Sequence, residues 1–375
     1  MNRPLSFFKK IVLNKETCTP DRLIVVTHLA PGNEDFLLEL NERIPIAAVI
    51  PKPNSIDTHT RDIVSSRIQI LNWNRATIKS QPNQFTEEIE SLVEDASFAI
   101  IDTGGYFSHV LRQMCNRFEA QFLGVVEDTE NGHQKYTALL TEDNSNFPCP
   151  IISVARSSLK DPEDFLVGQA IIFSSEALLR ARGEILNSKN AVVFGYGKIG
   201  RSIAHHLRQK SIQVSVLDIN PGRQILAMAH GFHTETKAHL LTNADIVYCA
   251  TGNHSLTHLD IPIIKRGAYV FTATSADDEI EDHTSLMQRA FHDKKYNISR
   301  IDTNGSYFYI ANSGNSANFM HGGIVGPFIK LIQAELIFCL SQLNGAPTDR
   351  IIELSDTKKR FIADTWLEQF TSQPA

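Results

Sequence analysis

Between Ala191 and Pro221 the chain reads AVVFGYGKIGRSIAHHLRQKSIQVSVLDINP, with Gly195, Gly197 and Gly200 set directly after an apolar run and at the start of an amphipathic one. Residues without a Cβ permit a tight turn there and let helix N-terminal amides approach a pyrophosphate. Asp218 closes the next apolar run, about 20 residues on, where a carboxylate can accept from both hydroxyls of an adenosine ribose. An acid in that place repels a 2′-phosphate, so the expected cofactor is NAD rather than NADP. Strand, glycines, helix and acid stand in the right order. The competing reading is a vestigial unit whose glycines serve packing alone. CATGN, from Cys249 to Asn253, closes a later strand of the same series. Loops at strand C-termini face a bound dinucleotide, which places Thr251 or Asn253 at the nicotinamide-side ribose unless the segment is an ordinary turn.

Other residues that can do chemistry are scattered, and alone they read blandly. Lys160 and Asp164, four apart in SLKDPEDF, suit a surface ion pair at a helix start, worth only tenths of a kcal/mol. His28 after an apolar run suits a capping or surface position. Asp102, before Gly104 and Gly105, suits a turn organiser.

The elements that must position these groups follow from the apolar rhythm. RLIVVTHL, PIAAVIP, SLVEDASFAIIDTGG and FLGVVEDTENG alternate with amphipathic segments such as PGNEDFLLELNERI and YFSHVLRQMCNRF, which is an α/β pattern. After a loop, SLKDPEDFLVGQAIIFSSEALLRARGEIL reads as a long helix able to bridge two domains. A second α/β series runs from Ala191 to GAYVFTAT, and strands separated by helices imply parallel pairing with right-handed crossovers. The fold expected is a Rossmann-type doubly wound parallel sheet with a second α/β domain. The bounds are 1–167 for a substrate domain, 168–318 for the cofactor domain and 319–375 for a hinge and C-terminal helices returning to the first. Hinges are expected near Lys160 to Gly168 and Phe319 to Gly326, where MHGGIVG supplies glycines.

At 375 residues the chain is long enough for two cores. A formal charge of −6 gives no broad electrostatic pull toward nucleic acid or anionic lipid. Five cysteines, Cys18, Cys115, Cys149, Cys249 and Cys339, form no CxxC pair. That argues for reduced thiols, a cytoplasmic setting and no structural zinc or other metal. No apolar run reaches the about 18 residues that span a bilayer, and the first residues lack a signal-peptide core.

Taken together, GYGKIGRSIAHHLR, VLDINP, ADIVYCATGN and GAYVFTATSADDEI, with IDTGG, VEDTENG and SLKDPEDFLVG, resemble the adenosylhomocysteinase (S-adenosylhomocysteine hydrolase) family. The likeness runs from THLAPGNEDFLLEL to GNSANF. It implies an enzyme that oxidises the 3′-hydroxyl of a nucleoside with tightly held NAD, removes the acidified 4′ proton, eliminates the 5′ substituent, adds water and restores the alcohol. A ketone beside a C–H bond stabilises the developing carbanion, so a base of ordinary strength suffices. Carried over by position, Lys160 and Asp164 match the pair that meets the 3′ and 2′ hydroxyls. Asp102 matches the acid-base aspartate on the 5′ side, with His28 assisting. Asp128 stands where the family has a glutamate, Thr129 beside it on the cofactor side, and Asn318 matches the asparagine at the nicotinamide amide.

The departures have consequences. Ser275 stands where the family has a histidine beside the reacting ribose, and His321 is placed near its later histidine. Ala30, Gly32 and Asn33 occupy the positions that read the adenine ring, and Phe165 replaces an asparagine. The end, TSQPA, lacks the family's Lys- and Tyr-containing tail. The expectation is a divergent relative with a nucleoside-type substrate, altered base recognition and a homo-oligomer smaller than the family's tetramer. Two other readings are a catalytically inactive NAD-binding partner protein and a 2-hydroxyacid dehydrogenase.

Overall fold

The computed structural model describes residues 3–12, 20–143 and 147–371. Cys18 and the end of TSQPA lie outside the described residues. The chain divides into two compact units, Met1–Lys160 with Gly326–Ala375, and Asp161–Val325. Among the described residues no helix is long and apolar enough to cross a membrane.

The first unit contains α1 (Arg3–Val12), β1 (Arg22–Leu29), α2 (Glu34–Asn41), β2 (Ile46–Ile56), α3 (Thr58–Ser65), α4 (Arg75–Ser80), α5 (Pro82–Val93), β3 (Phe98–Asp102), α6 (Leu111–Phe118), β4 (Phe122–Glu127), α7 (Glu130–Asp143) and β5 (Ile151–Ser153). Its five strands pair in the order β2-β1-β3-β4-β5, all parallel. The near-continuous apolar runs of the sequence are explained by burial on both faces. Leu23 and Val25 pack into one cluster with Phe7, Phe36 and the chain's last two helices, whereas Ile24 and Val26 pack into another with Ile78, Phe85 and Met114. Each such side chain contributes about 1.5–3 kcal/mol by leaving water.

The second unit continues with α8 (Asp161–Ala181), β6 (Asn190–Phe194), α9 (Lys198–Gln209), β7 (Gln213–Leu217), α10 (Pro221–Ala229), α11 (Lys237–Asn243), β8 (Ile246–Cys249), β9 (Tyr269–Thr272), α12 (Ala276–Glu279), α13 (His283–Gln288), β10 (Phe291–Asp293), β11 (Ile298–Thr303) and β12 (Ser306–Ala311). Its sheet runs β10-β11-β12-β9-β8-β6-β7. β12, β9, β8, β6 and β7 are parallel, as the helical connections between them require of β6 to β9. One edge differs from the all-parallel expectation: β10, β11 and β12 form an antiparallel ribbon. Asn304 and Gly305 make the two-residue turn between Thr303 and Ser306, a hairpin signal that the neighbouring polar residues obscure. The chain then returns to the first unit with α14 (Ile329–Leu340) and α15 (Asp356–Phe370).

Candidate functional site

In the first unit the chemistry-bearing residues gather at the carboxyl ends of neighbouring parallel strands. His28 is near the end of β1, Asp102 ends β3, Glu127 ends β4 with Asp128 next to it, and Lys160 follows β5 in the turn Ser158–Lys160. That edge is where open α/β sheets bind ligands.

Asp102 and Glu127 are register partners on adjacent strands, and both are fully buried. Asp102 accepts from Tyr106 N–H at 3.1 Å, Phe107 N–H at 3.0 Å and the Tyr136 hydroxyl at 2.6 Å. It therefore organises the turn as its spacing suggested. Burial nonetheless holds its carboxyl above the usual aspartate range, against those three donors and the charge of Lys52. Glu127 accepts from Gly104 and Gly105 N–H at 3.0 and 3.1 Å, and from Thr129 N–H and Oγ1–H at 2.7 Å each. Burial, with the Asp102 charge next, pushes Glu127 up to about 8. Two carboxylates cannot both be ionised cheaply in such a place, so near neutral pH the pair carries a proton. Gly132 leaves room for this carboxyl, since a Cβ there would lie 2.1 Å from Glu127 Cδ.

Lys160 is buried, and its Nζ is 2.7 Å from Asp128 Oδ1. Lys160 ends the first unit, whereas Asp164 lies buried in the first turn of α8 in the second. Asp128 is held in turn by its own N–H, which donates to Asp102 O at 2.9 Å. His28 Nδ1 meets Ser55 Oγ. Burial, then the charges of Lys52 and Lys160, hold His28 well below the usual histidine range, so it is neutral.

The turn after β1 is occupied by the chain itself. Asn33 Nδ2 donates to Thr27 Oγ1 at 3.1 Å and to His28 O, while its Oδ1 accepts from Gln333 Nε2 at 2.6 Å. Lys330 Nζ donates to Gly32 O at 2.8 Å. Two residues of α14 thus pin the segment from Gly32 to Asn33.

The second unit holds the glycine cradle. Gly195 has φ +93°, and a Cβ there would lie 2.4 Å from Ala250 O; one on Gly200 would lie 2.0 Å from Gly195 O. Both glycines are therefore required by the close packing of α9 on β6 and β8. Gly197, the residue before α9, is different: a Cβ would meet nothing nearer than Arg223 Nη1 at 3.8 Å, leaving open space before the helix amides. Asp218 ends beside this loop, with Oδ2 accepting from Tyr196 N–H at 2.6 Å and Oδ1 from Asn220 N–H at 2.8 Å. Asn220 also caps α10. Open space at Gly197, a helix N-terminus and an acid at the next strand end are the donor set that a dinucleotide needs, so these residues fit NAD.

Glu279, fully buried, shapes the loop after β8. It accepts from Thr251 N–H at 2.7 Å, Thr251 Oγ1–H at 2.8 Å, Gly252 N–H at 2.8 Å and Thr274 Oγ1–H at 3.0 Å. Asn253 remains exposed, with its N–H on Thr251 Oγ1. Ser275 accepts Asp278 N–H on its carbonyl at the start of α12. Asn318 is buried and accepts from Ser316 Oγ–H at 2.6 Å. His321 Nδ1 is 3.0 Å from Ser174 Oγ on α8.

Glu127, Tyr136, Lys52 and Glu279 escape the sequence reading. Glu127 ends β4 and Glu279 ends α12, and their partners are backbone amides and threonine hydroxyls of neighbouring loops, distant in sequence in part, which no local pattern reveals.

Comparison with known proteins agrees with the cradle. The family model described as S-adenosyl-L-homocysteine hydrolase, NAD binding domain, matches residues 171–308. The S-inosyl-L-homocysteine hydrolase of Methanococcus maripaludis is 21% identical over 286 residues, covering 76% of this chain and 67% of that protein. The adenosylhomocysteinase of Gloeothece citriformis is 27% identical over 271 residues, covering 72% of this chain and 62% of that one. The matched region thus spans about two thirds of the length of these relatives. Among solved structures, a Ralstonia solanacearum protein described as a D-3-phosphoglycerate dehydrogenase oxidoreductase aligns at TM-score 0.51 and 12% identity, covering 87% of this chain and 96% of that one, a likeness of fold.

Proposed function

We propose that the chain, which is similar to adenosylhomocysteinases and matches their NAD-binding domain over residues 171–308, acts on an S-nucleosylhomocysteine or a related nucleoside by 3′-oxidation, 4′-deprotonation and reversible 5′-elimination. The observation that carries this reading is the convergence of His28, Asp102, Asp128 and Lys160 on one sheet edge of the first unit. NAD, when bound, would supply the acceptor for the 3′ hydride, which would return to the same carbon before the product leaves. Lys160, buried against Asp128, takes the 3′-hydroxyl proton at Nζ, and Asp164 orients the hydroxyls. Asp102, which is the register partner of Glu127 and shares a proton with it, passes one to the 5′ leaving group. His28, kept neutral, accepts one from water.

Base recognition is altered, because the Asn33 amide is engaged by Thr27, His28 and Gln333. A site discriminates mainly by leaving buried polar groups unpaired, so fewer such groups relax the choice of base. S-Inosylhomocysteine belongs beside adenosylhomocysteine as a substrate to try. A second reading, NAD binding without turnover, is favoured by the three donors that occupy Asp102 and by Ser275 in place of a histidine. Self-association is part of the proposal, and crosslinking that yields only monomer would count against it.

The test is incubation of the NAD-loaded protein in D2O with adenosine, adenosylhomocysteine and S-inosylhomocysteine, following bound-NADH absorbance and deuterium entry at the 4′ carbon. NADH with 4′ exchange is expected for at least one. Bound NAD with neither signal across the three, unchanged by Lys160→Ala, would sink the catalytic reading in favour of the second.

A further inference from the structure

Glu335 lies on α14 with no exposed surface, and neither carboxyl oxygen has a hydrogen-bond partner meeting normal geometry among the described residues. A carboxyl buried in that state is costly. Its surroundings give it an electrostatic one. α14 packs against the turn Ser158–Lys160 and against β4 and α15. From the turn side come Lys160 and the Ser157 side chain; from α15 comes Lys359, and from the segment before it Glu353. Lys359 Nζ is 3.1 Å from Glu353 Oε2. On α14 itself the neighbour is Cys339, whose thiol the Glu335 charge helps to raise. On its other side Lys160 meets Asp128 and acts on His28.

We propose that Glu335 is a positioning residue that governs how firmly Lys160 holds its proton. Ionised, it adds a second negative charge to that of Asp128 and keeps Lys160 an ammonium. Protonated, it withdraws that second charge and lets the amine more readily become a base. Burial raises Glu335 to about 7, against Ser157, Lys359 and Lys160, so both forms are populated around neutral pH. The role of Lys160 rests on the function proposed above; the electrostatic link between the two groups does not.

The holoprotein is acetylated with trace acetic anhydride across a pH series, and Lys160 modification is read by peptide mass spectrometry against exposed lysines of the same digest. Glu335→Gln, nearly isosteric and uncharged, is expected to lower the Lys160 midpoint by about one pH unit, the usual reach of a nearby buried charge. Lys359→Met, which removes a cation favouring ionised Glu335, is expected to shift it the same way by less and serves if Glu335→Gln fails to fold. An unchanged midpoint in the folded variants overturns the proposal. The pH profile of NADH formation is measured beside it. NADH formed by the parent protein, with no midpoint shift in Glu335→Gln, sinks the Glu335 role and spares the function. No NADH in any protein, with the shift present, does the reverse.

Discussion

Gly200 and Asp102 show how little room single residues have in this chain. A methyl group on Gly200 would lie 2.0 Å from Gly195 O, and neither α9 nor β6 can retreat without opening the core. Gly200→Ala is expected to cost about 1–3 kcal/mol, the range of an overpacked interior, and to lower bound NAD as the cradle distorts. Thermal unfolding and the NAD content of the purified protein check both. The glycine spacing made this position legible, because packing and phosphate approach both demand the absence of Cβ. Asp102 was legible only in part. IDTGG supports a turn organiser and, by resemblance, an acid, and the structure shows the carboxyl accepting from two backbone amides of the turn while burial raises it above the usual aspartate range.

At the scale of elements, the loops after β3 and β4 are tied by one side chain, Glu127. Its carboxyl lies above the usual glutamate range when folded, so protonation stabilises the native state. That contribution is complete below the unfolded-state pKa and is lost as pH rises through about 8. The melting temperature of the parent protein is expected to fall from about pH 5 to about pH 8 and then level off, and that of Glu127→Gln to fall less; calorimetry across that window checks it. An equal fall in both would show that the two loops do not depend on this proton. The parallel strands were legible because two-sided burial writes unbroken apolar runs. The β10 to β12 ribbon was not, because Lys294, Lys295 and Arg300 interrupt its period and only Asn304 and Gly305 mark the turn. The Lys160 to Asp128 pair was hidden for another reason: strand order, not sequence distance, makes them neighbours.

At the scale of the molecule, the second unit is one unbroken stretch, Asp161–Val325, with its own apolar clusters. A protein of those residues alone is expected to fold cooperatively and bind NAD, whereas residues 1–160 alone should not, since Leu331, Ile332, Leu336, Ile362 and Trp366 complete the cluster around Leu23 and Val25. Circular dichroism and NAD titration of the two fragments check this. The same arrangement gives the protein a timetable at the ribosome. The cofactor unit is fully synthesised while the first sheet still lacks the two helices that cover one of its faces. The nascent chain therefore passes through a stage in which one unit is native and the other still exposes apolar surface, the interval in which a chaperone has something to hold and in which excess NAD can act on a chain not yet finished.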